Sequence, residues 1–260
     1  MADAAPNILL TNDDGIDSPG LRALYRALSD VGDVTVVAPA EDQSAVGRAM
    51  SGEVGLRSHE LGHAIEGTPS DCVVAALGAL DCDPDVVVSG CNTGANLGMY
   101  VLGRSGTVSA AVEAAFFDIP AIAASLYLPP ADFEEPQEPA AYHEPVAATR
   151  YLVENALPAG VFEHADYLNV NGPLPQDGGA PMVVTTPSHA YEMDATHEGG
   201  RVVLHDRMWD RMESGDLPPD DDNGTDRHAV SEGKVSVSPL TAPHGSEHHE
   251  ALDGLAQTYR

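Results

Sequence analysis

The chain has 260 residues, with 41 Asp and Glu against 12 Lys and Arg, a formal net charge of −29. Apolar residues make up 43%, enough to bury a core, which excludes disorder of the whole chain; the length allows one large domain or one domain with an appendage. So acidic a surface excludes duplex DNA or RNA as a partner, because that contact needs a basic face.

The acids are spread along the chain, and Lys234 is the only lysine. A charge of this size repels itself at low ionic strength but is tolerated where the Debye length shrinks to about 3 Å, near 1 M salt. The balance therefore reads as that of a halophile with molar salt in its cytoplasm. Cys72, Cys82 and Cys91 are odd in number and show no CxxC spacing. Reduced thiols in a cytosol fit them better than a disulfide framework or a zinc ribbon. The first residues lack a basic, apolar leader, and no run approaches membrane-spanning length. A cytoplasmic location with no membrane partner is expected.

Residues 7–10 form an apolar run that reads as a buried first strand, and the TNDDG loop ends it. Pro19 opens a helix whose apolar positions are Leu21, Leu24, Tyr25 and Leu28. Residues 34–38 give a second strand, completing a βαβ unit. A small, apolar helix is expected over 69–80, a strand over 85–89, then a glycine-rich loop over 90–98. Ser105-Gly106-Thr107 leads into an Ala-rich helix over 108–117, followed by a strand over 119–126. This alternation predicts an α/β fold: a Rossmann-like, doubly wound, mostly parallel sheet covered on both faces. Beyond it, 129–145 reads as an exposed Pro- and Glu-rich loop and 146–157 as a helix. Strands are expected over 167–171, 182–186 and 235–239, with hairpins or an arm over 188–235 and a closing helix over 248–259. The core is assigned to 1–190, and the extended arm and closing segment of the same domain to 191–260.

Three loops carry chemistry. Asn12-Asp13-Asp14-Gly15 lies at the presumed carboxyl end of the first strand, where ligands bind in open α/β sheets. Two adjacent carboxylates there repel unless a cation lies beside them, and Mg²⁺ or Mn²⁺ suits such oxygens. The same four residues are equally good turn chemistry. In the second loop, Gly90, Asn92, Gly94, Asn96 and Gly98 alternate with other residues. Its glycines admit a ligand to the backbone, and successive N–H groups make an anion nest. The spacing matches neither the dinucleotide fingerprint nor a P-loop. At the third, Ser105 is a helix cap, and the helix end behind it suits phosphate. Gln43-Ser44 follows the second strand at the same sheet edge and brings a hydroxyl. A hard cation beside a phosphate pocket fits phosphate-ester hydrolysis, with metal-activated water as the simplest nucleophile.

In eight stretches the chain resembles the SurE family of survival-protein nucleotidases. These are ILLTNDDGIDSPGLRAL (8–24), VVAPAEDQSAVG (36–47), GTPSDCV (67–73), DVVVSGCNTGANLG (85–98), SGTVSAA (105–111), IPAIAAS (119–125), LNVNGP (168–173) and GTDRHAVSEGKVSVSPL (224–240). The resemblance implies a metal-dependent 5'- and 3'-nucleotidase that acts on nucleoside monophosphates. It implies a homodimer or homotetramer, with the C-terminal region packed between subunits. It implies one divalent metal ion per subunit, Mg²⁺ or Mn²⁺, on Asp13, Asp14, Ser44 and Asn92. Asn96, Ser105, Gly106 and Thr107 then line the phosphate pocket, and Asp13 or Asp14 is the catalytic carboxylate, either beside an attacking water or as the nucleophile. A broader acid phosphatase or exopolyphosphatase, or a non-catalytic nucleotide sensor, is the alternative. Arg48 departs from the family pattern and either reaches the pocket or pairs with surface acids. Asp71 is read as a helix-start charge, and His244, His248 and His249 as a solvated helix rather than metal ligands.

Overall fold

The computed structural model describes residues 5–129, 137–218, 221, 223–242 and 250–259. His244, His248 and His249 lie outside the described residues, as do residues 130–136 of the expected 129–145 loop.

The first half follows the predicted alternation: β1 (Asn7–Thr11), α1 (Pro19–Leu28), β2 (Asp33–Pro39), β3 (Gly55–His59), β4 (Gly62–Glu66), α2 (Pro69–Ala79) and β5 (Val86–Thr93). Next come α3 (Met99–Leu102), α4 (Gly106–Phe116), β6 (Ala121–Leu126), α5 (His143–Asn155) and β7 (Tyr167–Gly172). The last third contains β8 (Met182–Val184), β9 (Met193–Glu198), β10 (Arg201–Asp206), α6 (Arg207–Ser214), α7 (Asp226–Ser231), β11 (Val235–Leu240) and α8 (Glu250–Thr258).

The main sheet has nine strands in the order β3-β4-β2-β1-β5-β6-β7-β11-β8. β2, β1, β5, β6 and β7 run parallel, while β3 is antiparallel to β4 and β11 to β7. Successive side chains on a strand point to opposite faces, so the β-branched runs fill two cores. Ile8, Leu10, Val36, Val86 and Val88 pack on one face against Leu21, Leu24 and Leu28 of α1. Leu9, Val37 and Val87 pack on the other against Cys72, Val73 and Ala76 of α2 and Val108, Ala110 and Ala111 of α4. Cys72, Cys82 and Cys91 are all free.

Strand order reverses at β1, with β2 on one side and β5 on the other. That switch opens a crevice beyond the carboxyl ends of β1 and β5.

The structure departs from expectation in three places. A hairpin, β3–β4, occupies 55–66, where no element was read. The glycine loop is partly strand: β5 continues to Thr93, with a register shift against β6 between Ser89 and Asn92. Gly90 permits this, since its φ is +136° and a Cβ there would lie 2.2 Å from the Ala124 carbonyl oxygen. α5 begins at His143, three residues early, with Pro145 accommodated in its first turn. After residue 190 the chain divides: β9 and β10 pair only with each other, whereas β11 returns to the main sheet between β7 and β8. Among the described residues no helix is long and apolar enough to cross a membrane.

Candidate active site

Asn12 makes the turn after β1. Its amide donates to the Gly15 carbonyl and to Ser18 Oγ, both at 2.8 Å. Ser18 in turn caps α1. Turn chemistry and carboxylate chemistry are thus divided between neighbours: Asn12 shapes the loop, and Asp13 and Asp14 line a cavity of about 830 Å³. Asp42, Ser44, Asn92, Asn96, Arg104 and Ser105 share its wall.

The two carboxylates are held from different elements. Thr107 of α4 donates its hydroxyl to Asp13 Oδ1 at 2.5 Å. Asp13 is 4% exposed. Gly106 allows that approach, because a Cβ there would meet Asp13 Cβ and Oδ2 at 2.8 Å. Asp14 accepts from the N–H and the hydroxyl of Thr93, at 2.9 and 3.0 Å, and both bonds fall on Oδ2. Tyr142, wholly buried, shares a 2.7 Å hydrogen bond with the same threonine hydroxyl. The loop after β2 is drawn in as the Gln43 N–H donates to the Asp13 carbonyl at 2.7 Å. Ser44 Oγ donates to Asp42 Oδ1 at 2.6 Å. Asn92 Nδ2 donates to the Gly94 carbonyl at 2.6 Å. Amide and hydroxyl protons committed in this way leave oxygen lone pairs for a cation.

Burial, with the Asp14 charge beside it, pushes the Asp13 carboxyl up to about 7 against the hydrogen bonds of Thr107. Asp14 is raised by burial to about 6, and Asp42 adds repulsion. The set fits a hard divalent ion: it is all oxygen, partly desolvated, and its repulsion is relieved by a positive charge. Among the described residues no three His, Cys, Asp or Glu side chains gather as a metal cluster. An ion here therefore relies on the hydroxyl of Ser44 and the amide of Asn92 beside the two carboxylates. Such an ion must displace protons below the raised values, so affinity should depend on pH. Titrating Mn²⁺ by calorimetry in molar KCl should show binding weakening as pH falls through about 7, by about tenfold per unit for each proton displaced. An affinity flat from neutral into mildly acidic pH would contradict this site.

The residues expected to line the phosphate pocket separate into two groups. Asn96 and Ser105 are in the cavity wall. Gly106 and Thr107 stand behind Asp13, and the Thr107 hydroxyl is spent on that carboxylate. Ser105 Oγ caps α4 by accepting from the Val108 N–H at 3.1 Å. Asn96 is fixed on every side: its N–H donates to Asn171 Oδ1, its carbonyl accepts from Asn169 and Asn171, and its amide donates to Ser125 Oγ. The LNVNGP stretch thus anchors the glycine loop.

Sequence reasoning missed Arg104, Thr93, Tyr142 and Asp42. Among the described residues Arg104 is the one cation of the cavity wall. It is steadied over Tyr100, with its guanidinium 5.0 Å from the ring centre. Its place, directly before the Ser105 cap of the Ala-rich helix, was the available signal. Arg48 points elsewhere: Nε lies 3.0 Å from Glu113 Oε2, and the guanidinium sits 4.5 Å over Phe116. Asp71 completes a capping box with Thr68 at the start of α2.

An oxygen-donor cation site, an arginine and a helix end converge at the switch point of a doubly wound sheet. They define a class of α/β proteins that bind their ligands in the crevice beyond the carboxyl ends of the strands. The family model described as Survival protein SurE matches residues 8–194, and the chain belongs to that family. Two relatives carry the name 5'-nucleotidase SurE. That of Haloarcula marismortui is 64% identical over 98% of this chain and 95% of its own length. That of Natronomonas pharaonis is 62% identical over 98% of this chain and all of its own. The crystal structure of the SurE protein from Aquifex aeolicus matches with a TM-score of 0.76 at 31% identity, covering 93% of this chain and 95% of that one.

Proposed function

We propose that this chain is a divalent-metal-dependent phosphomonoesterase, a 5'-nucleotidase that hydrolyses nucleoside monophosphates to nucleoside and phosphate. The observation that carries the reading is the pairing of Asp13 and Asp14, buried neighbours whose charges repel, in a cavity that also holds Arg104. The names of the halophile relatives support the substrate.

In this reading Asp13, Asp14, Ser44 and Asn92 hold one Mg²⁺ or Mn²⁺ ion. Bound there, it supplies Lewis acidity toward the phosphoryl oxygens and a lowered pKa for nearby water. Arg104 meets the remaining phosphate charge from the opposite wall. The first turn of α4 contributes its dipole, and Asn96 and Ser105 bound the pocket where the ester sits. Thr107 and Thr93 keep the carboxylates in place. Water is the simplest nucleophile here: its oxygen bonds phosphorus as the phosphorus–oxygen bond to the nucleoside breaks, and the proton that the water loses ends on the leaving nucleoside oxygen.

Residues 1–190 form the metal and phosphate-binding core, and 191–260 the arm and closing segment of the same domain. The arm joins subunits into a homodimer or homotetramer. The exposure of Val202 and Leu204 on β10, 64% and 71%, supports that role. The enzyme works in the cytoplasm.

Phosphate release from AMP in about 2–3 M KCl, a range set by the screening argument, tests the reading. Release should require Mg²⁺ or Mn²⁺ and stop with EDTA. Faster turnover of an aryl phosphate or polyphosphate than of AMP would move the assignment to a broader phosphatase. AMP binding without release would move it to a nucleotide sensor.

A further inference from the structure

The cavity is far larger than a phosphate group needs, and its wall includes one side chain from the arm. Trp209, the only tryptophan in the chain, lines the same cavity as Asp13 and Asp14. Val101 and Leu128 make that wall apolar. The indole lies nearly parallel to the Tyr127 ring, with 9° between planes and 6.5 Å between centres. Beneath it is a small core of its own, formed by Ala95, Leu97, Met212 and Val230. Ala95 and Leu97 belong to the glycine loop, and Met212 to α6. The helix that carries Trp209 is pinned at its start: Asp206 caps it and accepts a 2.6 Å bond from the Tyr100 hydroxyl. The indole is therefore a fixed aromatic face on a helix, joined through one apolar cluster to the loop that carries Asn96.

We infer that Trp209 is the platform on which the nucleobase of the substrate stacks, so that the arm selects nucleotides from other phosphate esters. This rests on the nucleotidase reading of the cavity. A base offers a π-face to an indole whatever its edge pattern, and aromatic stacking of this kind is tolerant of base identity. Among the described cavity-lining residues, only Arg104 carries a charged donor. The wall thus recognises the presence of a base more than its kind, and the four common nucleoside monophosphates should be hydrolysed at comparable rates.

The single indole makes the platform directly observable. Its emission is excited at the red edge of its absorption, with Mg²⁺ present, while adenosine, ribose 5-phosphate or inorganic phosphate is added. Adenosine is not consumed and should quench the emission; the other two should leave it unchanged. In kinetics, Trp209→Ala should lower the ratio of kcat/KM for AMP to that for ribose 5-phosphate by about tenfold, and Trp209→Phe should restore most of it. Should the alanine variant fail to fold, the fluorescence of the unaltered chain decides alone. An unchanged ratio in folded Trp209→Ala, or no quenching by adenosine, overturns the platform and leaves the nucleotidase reading standing. Quenching by adenosine from a protein that releases no phosphate from AMP overturns the nucleotidase reading instead.

Discussion

Asp13→Asn should reduce metal-dependent phosphate release from AMP by at least about 10²–10³-fold while leaving the protein folded. Asparagine has the shape of aspartate and keeps an oxygen at the position that accepts the Thr107 hydroxyl, 2.5 Å away. It removes the charge. In the metal-free protein that charge is already disfavoured, because burial holds the carboxyl up at about 7. The metal-free variant should therefore melt within a few degrees of the parent, or slightly above it near neutral pH. The sign follows from the shift. A carboxyl raised in the fold opposes folding as pH rises from its unfolded value through about 7, and asparagine deletes that opposition. The stabilisation that Mn²⁺ gives the parent should vanish in the variant. The experiment compares melting curves with and without Mn²⁺ alongside phosphate release. Parent-like release by the variant would remove Asp13 from the chemistry.

The largest effect on stability is expected at Asp226, far from the carboxylate pair in sequence. Its carboxylate accepts three backbone N–H groups: Gly98 at 2.7 Å, Ser188 at 2.9 Å and Arg227 at 2.8 Å. The residue is wholly buried, and so is Arg227, whose Nη1 bonds Ser188 Oγ and the Ala190 carbonyl. Truncation to alanine leaves buried donors without an acceptor and a buried guanidinium with less counter-charge. Losses of this kind cost about 3–5 kcal/mol. For a chain of this length that corresponds to a fall in Tm of about 6–20 °C. Asp226→Asn, which keeps one accepting oxygen, enough for the Ser188 and Arg227 N–H groups, but loses the charge and the acceptor for Gly98, should lose less. Gly98 ends the glycine loop, so Mn²⁺ affinity should weaken along with stability. A melting temperature within 2 °C of the parent, about 1 kcal/mol or less by the same scaling, would show that the cluster does not hold the loop.

The parallel core was legible because its strands are short β-branched runs buried on both faces, and its helices open with Pro or with Ser and Thr caps. The hairpin at β3 and β4 was not, because most of β3 is exposed and shows no apolar run: only Leu56 among Gly55–His59 is a large apolar residue, and it is 52% exposed. At the site, adjacent carboxylates at a strand end are a local signal. Support at a distance is not. Thr93 reaches Asp14 across 79 residues and Asp226 reaches Gly98 across 128, and nothing in the local pattern around either pair announces its partner. Thr107 was read as a phosphate-pocket residue from its place at a helix start. Its hydroxyl instead serves Asp13, since the sheet brings β1 directly under that helix end.

The position of β11 has a consequence for how the protein is made. This strand lies between β7 and β8 and, among the described residues, is the only strand paired with β8. A ribosome finishes β8 long before it reaches Val235–Leu240. Throughout that interval the exposed edge of β7 has no neighbour, and β8 has no sheet to join. The growing chain thus carries an open edge until β11 emerges, and exposed edges invite pairing with other chains.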